Sequence, residues 1–168
     1  ILARLMQNVD FLDRLIQDFA GAQEADGYLY TNRTINPENP APDAGKERWS
    51  NLKQSHELYN LGHLYEAAVA HHQATGKENL LDVALRSADL VDREFGPGKR
   101  QNPPGHQEIE IGLAKLYRTT GDKRYVELAQ FFLEARGKGE GRELYGEEMQ
   151  DHLPVLQQRA AVGHAVRA

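Results

Sequence analysis

Seven histidines are spread unevenly along the 168 residues. His56, Asn60 and His63 are four and three residues apart, a spacing that stacks them on one face of a helix. His106 stands at the head of a later helical segment, and His152 and His164 fall near the start of and along a third. A neutral imidazole donates a hydrogen bond through one nitrogen and accepts one through the other. A row of His and Asn therefore suits an uncharged, hydroxyl-rich ligand such as a sugar. His56-Glu57 opens like the zinc-protease pattern HExxH, but the fifth position is Asn60, so that motif fails. Solvated or core-satisfied imidazoles are the alternative for the stripe, and His71 and His72 read as structural. Tyr28, Tyr30, Trp49 and Tyr59 lie on or beside a long loop; they either stack on a sugar face or pack that loop.

No carboxylate pair stands out for acid–base work. Glu108 and Glu110 are two apart and diverge on a helix, Glu57 and Glu66 read as solvated or salt-bridged, and the acidic stretch 141–148 reads as an exposed loop. There is no Gly-rich phosphate loop and no GxSxG elbow. With no cysteine, the chain offers neither a thiolate nucleophile nor a thiolate metal cage. The residues describe a binding funnel rather than a catalytic constellation.

The elements that must hold these residues are helical. Apolar positions recur at the helical period over 1–19 and again near 54–74, 79–95, 106–119 and 123–135, while only Tyr28-Leu29-Tyr30-Thr31 resembles a strand. ATGKENLLDVA (74–84) aligns with TTGDKRYVELA (119–129) at an offset of 45 residues, each copy ending a helix at a Thr-Gly pair. The unit is a helical hairpin, repeated at a period too long for a tetratricopeptide array but within reach of a HEAT-type solenoid. Long connections at 26–53, 95–105 and 137–151 all precede the first helix of a hairpin. Connections of that length are usually functional. Gathered at one end, they predict an all-α (α/α) toroid whose loops rim a funnel.

Composition limits the partners. A net charge of -5 without a Lys/Arg run argues against nucleic acid, and a mean hydropathy of -0.66 without a long apolar stretch argues against a membrane span. A helical stripe already running at Ile1 and an apolar, uncapped stretch at Ala168 lead us to expect one partial domain, 1–168, truncated at both ends. The compartment, cytoplasmic or periplasmic, is left open.

Three segments carry a specific likeness: HELYNLGHLYEAAVAHHQATGK (56–77), PGHQEIEIGLAKLYRTTGDKRYVELAQFFLEARG (104–137) and HLPVLQQRAAVGHAVRA (152–168). With DGYLYT (26–31) and ERWSNL (47–52), they resemble the bacterial β-L-arabinofuranosidases of glycoside hydrolase family 127 across essentially the whole chain. The resemblance implies the N-terminal part, about half, of an (α/α)6 barrel acting on terminal L-arabinofuranosides or related plant-glycan sugars. It implies that His56, His106 and His164 contact the sugar. It also implies a cysteine nucleophile in a zinc site and a glutamate acid/base, all expected outside this chain, and a parent enzyme able to form a homodimer. The 168 residues alone are accordingly expected to be inactive. The alternative from another class is a non-catalytic helical-repeat interaction or sugar-binding module.

Overall fold

The helical periods are realised in a computed structural model that describes the backbone of residues 2–160 and the side chains of 10–160. Among the described residues there are six α-helices and no strand: α1 (Leu2–Ala22), α2 (Thr31–Thr34), α3 (Glu57–Thr75), α4 (Asn79–Glu94), α5 (Ile109–Thr120) and α6 (Lys123–Ala135). The Tyr28–Thr31 run is irregular and leads into the short α2, and Tyr28 and Tyr30 are buried. The repeat is two hairpins, α3–α4 and α5–α6. Gly76 (φ 72°) and Gly121 (φ 77°) close their first helices in the left-handed conformation, each donating its N–H at 2.8 Å to a carbonyl one turn back.

The two hairpins stack through their first helices. At the crossing of α3 and α5 the backbones touch: a Cβ on Gly112 would lie 2.7 Å from the Gly62 carbonyl oxygen, and one on Gly62 would lie 2.6 Å from the Glu108–Ile109 peptide. No side chain fits between them, so the heads of both helices are held side by side. Around that crossing Leu58, Tyr65, Ile109, Leu113 and Leu116 are buried with Val91 and Phe95 of the second layer. Trp49 reaches into the same core from the first long loop, edge-on to Tyr28 (5.1 Å between centroids) and to Phe95 (5.4 Å). On α1, Ile16 is buried, whereas Phe11, Leu12, Leu15 and Phe19 remain substantially exposed.

Two of the expected helices start later than the period alone suggests. α3 begins at Glu57, because His56 takes the left-handed conformation (φ 57°, ψ 13°) and cannot continue a helix backwards. α5 begins at Ile109, so His106 sits on the loop ahead of it. That loop is pinned by Gly105 N–H donating to the Leu52 carbonyl (2.9 Å) and by Arg136 donating to the Pro104 carbonyl (2.7 Å).

Candidate sugar-binding site

The chain brings together two of the three histidines expected to meet a ligand. His56, exposed at the head of α3, and His106, half-buried on the loop before α5, lie with ring centroids 4.5 Å apart and planes inclined by 31°. Tyr59, one turn into α3, touches both, at 5.7 Å from His56 and 5.2 Å from His106. Its far side meets His63 edge-on at 4.5 Å. Of the expected His56–Asn60–His63 stripe, Asn60 and His63 lie on α3 while His56 stands just ahead of it, and all three side chains are exposed. His164 lies outside the described residues. His152, expected near a helix start, falls in an irregular segment with its Nδ1 buried and unpaired among the described residues. His71 is buried against Thr75, and His72 meets the Lys77 carbonyl, both as structural imidazoles.

Buried carboxylates fix the backbone under each ring. Glu57, adjoining His56, is 1 % exposed and accepts hydrogen bonds from Tyr28 Oη (2.6 Å), Ser55 Oγ (2.8 Å) and the Trp49 N–H (3.2 Å). This corrects the reading of Glu57 as a solvated or salt-bridged helix residue: it ties the first long loop to the head of α3. Burial, reinforced by the Glu57 charge, holds the Tyr28 phenol protonated far above its usual range. Tyr28, Tyr30 and Trp49 therefore pack the loop, and Tyr59 alone of the four stands beside the histidines. Under His106 the corresponding group is Glu110, whose Oε2 accepts the Glu108 N–H at 3.0 Å and whose Oε1 lies 3.9 Å from the fully buried Arg136. Arg136 in turn donates to the Pro104 and Met149 carbonyls, joining the His106 loop to the third long loop. That loop is closed on itself by Arg142 and Asp151 (2.6 Å), while Glu143, Glu147 and Glu148 are exposed as expected.

Glu108 and Glu110 diverge, Glu108 standing one residue ahead of α5 rather than on it. Glu108 turns to α3, where its Oε1 is 3.2 Å from His63 Nδ1 and its carboxyl meets that of Glu66. Burial, then Glu66 and Glu110, push the Glu108 carboxyl up to about 7. Lys115 and Glu108, both hydrogen-bonded to Glu66, hold the Glu66 carboxyl below its ordinary range. Donor atoms of His63, Glu66 and Glu108 all lie within 4.8 Å of one another. The Lys115 ammonium seated on Glu66 already supplies the positive charge there, and we assign no metal to the cluster. A mostly apolar groove of about 450 Å³ runs beside it, lined by Phe19, Leu29, Tyr30, Asn60, His63 and Leu64 among others.

Stacked helical hairpins with long loops at one end, and an aromatic-backed imidazole pair among those loops, define an all-α protein built like part of an α/α barrel. The family model described as the GH127 catalytic domain of β-L-arabinofuranosidase matches residues 7–168, and the chain belongs to that family. It is similar to a non-reducing end β-L-arabinofuranosidase of Bifidobacterium longum subsp. longum, with 41% identity over 92% of this chain and 26% of the relative. Among solved structures it is similar to a GH127 β-arabinofuranosidase (TM-score 0.89, 52% identity, covering 95% of this chain and 25% of that one). It is likewise similar to a GH127 β-L-arabinofuranosidase from Geobacillus stearothermophilus T6 (TM-score 0.81, 40% identity, 94% and 27%). The chain thus spans about a quarter of the length of the relatives it matches.

Proposed function

We propose that the chain is the substrate-binding portion of a glycoside hydrolase acting on terminal β-L-arabinofuranosides or closely related plant-glycan sugars. The observation that carries this is the His56–His106 pair, two imidazoles held 4.5 Å apart over Tyr59 at the loop end of the hairpins. Each ring can donate to one sugar hydroxyl and accept from another, and the tilt between them spreads those directions over neighbouring hydroxyls. His164, on the VGHAVRA motif, completes the set in this reading.

Bond cleavage is assigned elsewhere. The zinc-held cysteine nucleophile that the family resemblance implies does not fit this chain's own residues, which include no thiol. Glu66 and Glu108 do not substitute for it: they are hydrogen-bonded to each other, leaving no room for a glycosidic bond between them.

The experiment is steady-state kinetics of the enzyme that carries this chain, on an aryl β-L-arabinofuranoside, with His56→Ala and His106→Ala. Each variant loses hydrogen bonds made to the sugar, and kcat/KM falls by about tenfold to a hundredfold. Wild-type kinetics in both would refute the assignment.

A further inference from the structure

Glu108, Glu66 and His63 form a polar cluster adjoining the residues assigned to the sugar, and Tyr59 connects the two. His63 stands edge-on to Tyr59, and Tyr59 touches both His56 and His106. On its other side His63 Nδ1 lies 3.2 Å from Glu108 Oε1. That oxygen is buried and has no aligned hydrogen-bond partner among the described residues, a costly place for negative charge. The Glu108 backbone N–H donates to Glu110, which fixes the residue at the start of α5, two positions after His106.

We propose that Glu108 is a positioning residue: a proton held between Glu108 and Glu66 fixes the His63–Tyr59 ring pair, and through it the orientation of the His56–His106 face. This rests on the function proposed above and adds to it a pH-dependent control of sugar affinity. The groups acting on Glu108 among the described residues are Glu66 and His63 from α3, with Glu110 and Lys115 from its own helix. With its carboxyl raised to about 7, Glu108 keeps its proton at mildly acidic pH and donates to the Glu66 carboxylate. The alignment is present below that value and is lost as pH rises through it, when two carboxylates face each other beside His63.

The test compares KM and kcat for an aryl β-L-arabinofuranoside in the enzyme carrying this chain, from about pH 5.5 to about pH 8.5, for wild type and Glu108→Gln. In the wild type KM rises by about fivefold across the window, as for one misaligned hydrogen bond, while kcat changes less. Glutamine keeps a donor toward Glu66 at every pH, so in Glu108→Gln the rise shrinks to less than about twofold. His56, Tyr59, His63 and His106 are present in both proteins, so the difference between the two profiles isolates Glu108. Glu66→Gln removes the neighbouring charge and moves the KM rise to lower pH. A wild-type KM profile in Glu108→Gln, or an unmoved one in Glu66→Gln, overturns the proposal. Unchanged KM in His56→Ala would instead overturn the sugar-site reading, so the two failures are distinguishable.

Discussion

The smallest unit that gives the site its shape is the left-handed His56 with the buried Glu57 beside it. A histidine at φ 57° is uncommon and costs on the order of 1 kcal/mol, so something must hold it there. Three donors converge on Glu57, and two of them, Tyr28 and Trp49, come from the loop ahead of the helix. Glu57→Ala would leave all three without their acceptor and destabilise the protein by about 2–4 kcal/mol, against a much smaller loss for Glu57→Gln. Urea denaturation of the two variants measures the gap, and equal stabilities would show that the loop is held by its aromatic packing alone. None of this was legible in the sequence. A glutamate at the first turn of a helix looks solvated, and only the fold shows that the loop carrying Tyr28 and Trp49 folds back over it.

At the scale of elements, the helices and their turns were readable because local rules fix them. The apolar period located α3 to α6, and the paired Thr-Gly signals located the left-handed caps at Gly76 and Gly121. The starts of α3 and α5 were each displaced by about three residues, since long-range bonds to Glu57 and Arg136 decide where the helical conformation begins. The contact that sets the two histidines at reach is the glycine crossing of α3 and α5, invisible to periodicity because Gly contributes nothing to a stripe. Gly112→Ala forces a methyl group to 2.7 Å from the Gly62 carbonyl oxygen and to 2.9 Å from Tyr65 Cβ. Separating the helices to admit it costs about 1–3 kcal/mol. We expect the variant to melt several degrees lower in calorimetry, whereas an unchanged melting temperature would mean that the crossing has slack.

At the scale of the molecule, the connections carried the most information. Three long loops, all ahead of the first helices, pointed to a toroid with a functional rim. In the structure Arg136 and Tyr145 join the second and third loops, and the Gly105 N–H donated to the Leu52 carbonyl joins the second to the first. His56 and His106 stood out in the sequence by residue type and motif, and the structure brings their rings together. The supporting shell of Glu57, Glu110 and Glu108 was not legible, because each acts through a partner distant in sequence: Tyr28, Arg136 and His63 respectively. The chain corresponds to about a quarter of each relative, so the division of labour proposed here, sugar recognition on these hairpins and bond cleavage elsewhere, belongs to the larger enzyme.

The most direct measurement is a crystal structure of that enzyme with L-arabinofuranose bound. Ring nitrogens of both His56 and His106 should lie within about 3.2 Å of sugar hydroxyls, with Tyr59 behind them. A sugar seated instead in the apolar groove beside α1, with both imidazoles out of hydrogen-bond reach, would contradict it.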